Sequence, residues 1–226
     1  MANPPKVTME VNDELLMTMK AGLVFHGDNV SNHILKRINM TESLRLLSLN
    51  DNRFVRYFKG HLDRVVSISL CSEKEEFLSG SLDRTVLFWD LRVDKAQGLL
   101  RVQGRPAVSY DDQGLVFAVA YGGHIRMFDA RKFEKIATYN VKPVVTDSTL
   151  EASFSPDGNH IISGSGDGSV YAWNVRGGKV ARWGSTDNEP PLVRWAPGSL
   201  MFLTGSSELS CWVPDLSKLG SVTITK

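Results

Sequence analysis

Only two cysteines occur in 226 residues, Cys71 and Cys211, each inside an apolar run. Two are too few for a disulfide framework, so they read as buried free thiols in a reducing compartment. Charge of one sign is also lacking. Lys and Arg number 26 against 25 Asp and Glu, a formal net charge of +1. That balance gives no reason to expect direct nucleic-acid binding or attraction to an anionic membrane. No apolar stretch approaches the roughly 18 residues of a membrane span. The opening MANPPKVTMEVNDELL carries acids and has no apolar segment of the secretory kind. The expectation is a soluble, intracellular product, in which the sequons Asn29-Val30-Ser31 and Asn39-Met40-Thr41 carry no weight.

Catalytic signatures are missing too. The five histidines, His26, His33, His61, His124 and His160, form no His-x-His or His-Glu-x-x-His pair. The two cysteines lie 140 residues apart, with no Cys-x-x-Cys. Gly164-Ser165-Gly166-Asp167-Gly168-Ser169 lacks the Gly-Lys-Ser/Thr ending of a phosphate loop and no helical pattern follows it. No Gly-x-Ser-x-Gly elbow appears. The chain is therefore expected to be no enzyme, with no metal and no cofactor.

Hydrophobic residues at 42% and charged residues at 23% are ordinary globular values. Four of the five tryptophans lie in short strand-like runs, which directs attention to internal repeats. The fullest unit runs from Gly60-His61 to Trp89-Asp90. Its apolar runs Val65–Leu70, Phe77–Ser81 and Thr85–Trp89 are separated by polar breaks, the pattern of antiparallel strands joined by tight turns. Aligning the chain on Trp89 gives a ladder of Leu47, Trp89, Phe128, Trp173 and Trp212, spaced by 42, 39, 45 and 39 residues. Turn sequences precede the last four rungs at Ser72-Glu73, Asp111-Asp112-Gln113-Gly114, Ser155-Pro156-Asp157-Gly158 and Pro197-Gly198. A four-stranded unit of this period, opening on Gly-His and closing on Trp-Asp, is a propeller blade.

From about residue 41 to 215 the chain resembles WD-repeat proteins. The fold expected is an all-β WD-repeat β-propeller over residues 22–226. A separate N-terminal segment, 1–21, is expected to hold a short helix around Leu15, Leu16, Met17 and Met19. The resemblance implies a hydrogen-bonded tetrad of His61, Ser79 or Ser81 (with Ser81 taken as the serine), Asp83 and Trp89. The other blades are degenerate, although Asp167 stands as far before Trp173 as Asp83 does before Trp89.

A narrower resemblance rests on longer runs. These are Asp51 to His61, Ser79 to Thr85, Trp89-Asp90-Leu91-Arg92, Gly104 to Val108, Gln113 to Ala118 and Leu150 to Phe154. Together they are similar to the WD-repeat subunit of the Set1/COMPASS histone H3 lysine 4 methyltransferase complex, in its plant-like form. The resemblance implies seven blades, whereas the ladder counts about five. One blade is missing before Ser43 and another between Tyr139 and Thr149, which puts ring closure in question. Ser221 to Thr225 reads as a strand, the expected outer strand of the last blade.

The function implied is that of a nuclear, non-catalytic scaffold acting in chromatin regulation, with protein partners and neither nucleic acid nor membrane contacted directly. The alternatives are a cullin-4 ubiquitin-ligase substrate receptor and a blade-deleted relict. The first follows from the Trp-Asp-x-Arg pattern, which makes Arg92 and Arg131 candidate partner-binding residues for the ligase adaptor. A local basic excess from Lys36 to Arg64, seven cations against three acids, reads as a solvated face or a dock for an acidic partner.

Overall fold

The computed structural model describes residues 6–10, 24–25, 33–37, 43–48, 53–71, 73–143, 150–183, 192–196, 201–206 and 208–213. Among these the chain forms five four-stranded antiparallel sheets. The first is β2 (Val24–Phe25), β3 (His33–Arg37), β4 (Ser43–Ser48) and β5 (Arg53–Lys59). The second is β6 (Val65–Leu70), β7 (Glu76–Ser81), β8 (Thr85–Asp90) and β9 (Gly98–Arg101). The third is β10 (Ala107–Tyr110), β11 (Val116–Tyr121), β12 (His124–Asp129) and β13 (Lys135–Asn140). The fourth is β14 (Ala152–Phe154), β15 (His160–Gly164), β16 (Val170–Asn174) and β17 (Lys179–Trp183).

The fifth sheet joins the two ends of the chain. Its strands β18 (Leu192–Trp195), β19 (Phe202–Gly205) and β20 (Glu208–Trp212) are followed in space by β1 (Lys6–Glu10). Strand β1 runs antiparallel to β20, with Lys6 opposite Trp212 and Glu10 opposite Glu208. Residues 6–10 thus belong to a sheet of the repeat array and not to a separate N-terminal segment. The helix expected around Leu15 to Met19 and the strand expected at Ser221 to Thr225 both lie outside the described residues.

Local sequence accounts for the strands and their turns. Each strand is a short run of β-branched, aromatic and small residues, and turn formers separate them. Gly114 and Gly158 take positive φ (63° and 67°) where β10 turns into β11 and β14 into β15. Between second and third strands, Gly123 (φ 81°) and Gly168 (φ 75°) do the same, and Arg84 (φ 62°) occupies that conformation in the second sheet. All five ladder residues lie in third strands, and each faces a large second-strand residue: Leu47 opposite Ile34, Trp89 opposite Phe77, Phe128 opposite Phe117, Trp173 opposite Ile161 and Trp212 opposite Phe202. The pairing with the fourth strand shifts register just before Leu47, Phe128 and Trp173, a bulge that recurs at one place in the unit.

Alternation puts an apolar face on both sides of each inner sheet, and neighbours cover those faces. On β8, Leu87 and Trp89 point to the first sheet and pack with Leu44, Leu46, Phe58, Val65 and Phe77. Val86 and Phe88 point the other way, to Tyr110, Phe117, Val119, Tyr121 and Phe128 of the third. The seam between third and fourth sheets joins Ala118, Ala120, Ile125 and Met127 to Phe154, Ile161 and Trp173. The next joins Ile162, Val170 and Ala172 to Val193, Phe202 and Trp212. Three of the cross-strand aromatic pairs are stacked nearly parallel: Phe77–Trp89 at 11°, Phe117–Phe128 at 11° and Phe202–Trp212 at 10°. Full burial of each such side chain contributes about 1.5–3 kcal/mol, so the seams hold the array together. Cys71 is fully buried in the second seam, as expected, whereas Cys211 is only half-buried.

The register of β1 has a direct test. Val7 lies opposite Cys211, and facing positions of an antiparallel pair fall within disulfide-forming Cα separations. A V7C variant is expected to lose the thiols at 7 and 211 under mild oxidation, while buried Cys71 stays reduced. Thiol counting by mass spectrometry checks this, and two persistent thiols at 7 and 211 would contradict the pairing.

Candidate functional site

Two groups of residues bear on function: the polar cluster that fixes the second sheet, and the turns that carry side chains out to the rim. Residues 60–64 connect β5 of the first sheet to β6 of the second. His61 is buried there, and its ring bridges two polar partners. Nε2 lies 2.7 Å from Ser79 Oγ and Nδ1 lies 3.0 Å from Asp83 Oδ2. Trp89 Nε1 donates to the same Ser79 Oγ at 2.8 Å. One proton arrangement satisfies every group: Trp89 N–H donates to Ser79, whose hydroxyl donates to His61 Nε2, and His61 Nδ1–H donates to Asp83.

Asp83 is fully used. Oδ1 accepts from the backbone N–H and hydroxyl of Thr85 at 2.9 and 2.6 Å, and Oδ2 accepts from Leu62 N–H at 2.8 Å and from His61. The cluster therefore ties the inter-sheet connection to the β7–β8 turn. Glycine precedes His61 for a steric reason. A Cβ at residue 60 would stand 3.1 Å from the Trp89 ring and 3.2 Å from Leu87 Cδ1.

The serine of this cluster is Ser79, which corrects the expectation placed on Ser81. Both are fully buried and face the same side of β7. Ser81 stands at the strand end, where its hydroxyl donates to Asp63 C=O at 2.9 Å and accepts from Asp83 N–H at 3.2 Å. It closes the turn, out of reach of the indole.

The other sheets solve the same problem differently. In the fifth, Trp212 Nε1 donates to Thr204 Oγ1 at 2.9 Å, a two-residue remnant of the cluster. In the fourth, among the described residues, no histidine pairs with Asp167. Its carboxylate accepts from Ser169 N–H, Tyr171 OH and Arg182. The inter-sheet connection there is tied by backbone instead, with Gly166 N–H donating to Lys142 C=O at 2.8 Å and Lys142 N–H to Ser165 Oγ at 3.1 Å.

Arg92 and Arg131 occupy equivalent places two residues beyond the ends of β8 and β12. In each case the preceding Asp side chain accepts from the arginine N–H at 2.8 Å, Asp90 for Arg92 and Asp129 for Arg131. Arg92 also folds back bidentately on Asp90, with Nε at 2.9 Å and Nη2 at 2.7 Å. That pairing holds the Asp90 carboxyl below the usual carboxylate range and raises the Arg92 guanidinium. Sequence reasoning missed a third member. Asn174 at the end of β16 accepts from Arg176 N–H at 2.8 Å, so the exposed arginine recurs on three consecutive sheets. The signal was present as Trp173-Asn174-Val175-Arg176, with Asn in place of Asp. Among the described residues no group of three or more His, Cys, Asp and Glu is placed to hold a metal ion.

Five sheets of this build, stacked face to face with a ladder aromatic in each of the last four third strands, define a propeller-like repeat protein. Comparison with known proteins makes the class specific. A family model described as "WD domain, G-beta repeat" matches residues 52–90 and 141–174. Protein ANTHESIS POMOTING FACTOR 1 of Arabidopsis thaliana is 40% identical over 221 residues, covering 77% of this chain and 67% of that protein. WD repeat-containing protein 82 of Drosophila melanogaster is 30% identical over 84% of this chain and 75% of its own length. Set1 complex component swd2 of Schizosaccharomyces pombe is 36% identical over 143 residues, covering 60% of this chain and 40% of that protein. The chain belongs to the WD-repeat family.

Two predictions follow from the cluster's geometry. Ser79→Ala leaves the Trp89 N–H and a His61 nitrogen buried without partners, at about 1–3 kcal/mol for each. Ser81→Ala removes hydrogen bonds whose partners lie near solvent, at about 1 kcal/mol. Urea denaturation of both variants is expected to rank Ser79→Ala as clearly the more damaging, and the reverse order would refute the assignment.

The second prediction concerns pH. Burial pushes the His61 imidazole below its ordinary 6.5, outweighing the opposing pull of Asp83. The native state then binds fewer protons than the unfolded chain, so stability is complete above about pH 6.5 and declines as pH falls below it. Protonation would also turn Nε2 into a donor and strand the Ser79 hydroxyl hydrogen. Burial works to raise the Asp83 carboxyl, but the hydrogen bonds from Thr85, Leu62 and His61 win and hold it below 3.8, which places a second loss of stability below that value. His61→Gln is expected to be less stable at pH 7.5 and to lose the first decline, read from denaturation midpoints between pH 7.5 and 5.

Proposed function

We propose that this chain is a non-catalytic scaffold subunit of a Set1/COMPASS-type histone H3 lysine 4 methyltransferase complex, working in the nucleus on chromatin. The observation that carries the reading is the 36% identity over 143 residues to a protein named as a Set1 complex component. The plant and fly relatives extend the likeness over more of the chain. The methyl transfer belongs to another subunit. This chain contributes a surface whose shape is set in advance by the seams, so little conformational freedom is lost on binding. The exposed turns bearing Arg92, Arg131 and Arg176 lie on that surface.

Affinity purification of the tagged chain from nuclei, followed by mass spectrometry, tests the reading. Recovery of a SET-domain methyltransferase with its companion subunits is expected. A clean purification that recovers other partners and no methyltransferase subunit would overturn it.

A further inference from the structure

The outermost strand of each sheet has one backbone edge facing outward, and these edges differ. Strand β9 exposes one large apolar side chain, Leu99, and β13 exposes one, Ile136. Strand β5 exposes three in its seven residues: Phe54 at 38%, Val55 at 53% and Tyr57 at 45%. It also carries three cations, Arg53, Arg56 and Lys59, and no acid. Its neighbour β4 adds Arg45 and again no acid. The Arg45 guanidinium lies 5.3 Å from the Phe54 ring centre and 5.2 Å from that of Tyr57, and among the described residues its buried Nε has no hydrogen-bond acceptor. Arg56 donates to the Arg92 carbonyl and sits in the field of Asp90, so its charge is partly offset. Arg53 and Lys59 are exposed. Among the described residues no strand pairs with the outer edge of β5.

An open edge of this kind recruits another strand unless something prevents it. Cations along β5 oppose pairing with a second copy of the same cationic strand. The same cations attract a strand of opposite charge. Phe54 and Tyr57, opposite Leu47 and Arg45, share one face of the sheet across the bulge at Val55, and apolar side chains spaced along one face suit an extended polypeptide, which presents side chains at a period of two, better than a sugar–phosphate backbone. We infer that β5 is a docking edge for an extended acidic segment of a partner protein, which adds beside β5 with its carboxylates near Arg53 and Lys59 and its apolar side chains against Phe54, Val55 and Tyr57. The inference refines the scaffold reading without depending on which complex is joined.

Fluorescence anisotropy of the full chain with a labelled 12-mer of alternating glutamate and valine tests it. Binding is expected at low salt. It should weaken at least about tenfold between 50 and 300 mM salt, and should be absent for the lysine–valine counterpart. R53E with K59E is expected to weaken binding about tenfold or more with an unchanged melting temperature, and Val55→Pro is expected to weaken it at unchanged net charge. A Lys135→Glu control, at an exposed cation of β13, should bind as the parent does. Equal binding of both peptides, or no effect of R53E/K59E, overturns the inference. So does preferential binding of a single-stranded oligonucleotide, or dimerisation of the chain through this edge in light scattering. Failure here with methyltransferase subunits still recovered from nuclei would sink the docking edge alone. Loss of those subunits with peptide binding intact would sink only the complex assigned above.

Discussion

A sheet that is apolar on both faces is insoluble by itself, and that constraint governs the rest of this structure. Strand β8 shows why. Leu87 and Trp89 are covered by the first sheet, Val86 and Phe88 by the third. Removing either neighbour would leave a wall of buried aromatics in water. The unit of stability is therefore the seam and not the sheet. Seams explain why the repeat tolerates loss of its polar signature more readily than loss of its alternation. The third sheet has Phe128 in place of tryptophan and no counterpart of His61 in the connection 102–106 that leads into it, yet Phe117 is fully buried and stacks on Phe128 as Phe77 stacks on Trp89.

The polar cluster does something the seams cannot. Apolar packing fixes how far apart two sheets lie, but it is poorly directional along the strands. His61 adds direction, because its two ring nitrogens bind partners on β7 and on the β7–β8 turn. Elsewhere the same locking is done by backbone and serine at Lys142 and Gly166, while the Trp212–Thr204 bond ties only β20 to β19 within the fifth sheet. Across the second seam, Ser67 and Ser69 of β6 add hydrogen bonds to Pro106 C=O and Tyr110 N–H. A scaffold needs this kind of fixed spacing, since its contribution to an assembly is the arrangement of its rims.

Sequence alone located every ladder residue in a third strand, because aromatic rungs and turn residues are local signals in register with each other. It could not choose between Ser79 and Ser81. They share a face of β7, and only the register against β8 decides which hydroxyl the Trp89 indole reaches. Arg176 was overlooked because Asn174 stands where the other two sheets have an aspartate, and its amide oxygen accepts the arginine N–H as their carboxylates do. Strand β1 was illegible for a deeper reason: its partner β20 lies some 200 positions along the chain, and nothing within Lys6–Glu10 points to it.

That pairing also sets an order of events during synthesis. Residues 6–10 leave the ribosome about 200 residues ahead of their hydrogen-bonding partner, which follows the other four sheets in the chain. At the usual 5–20 residues per second the early strand waits roughly 10–40 s with its edge unpaired. Through that interval the four earlier sheets can stack one after another, each on a finished neighbour. The fifth cannot be completed until β20 has been made and residues 6–10 return to it, so the other four sheets are synthesised while this one is still unfinished.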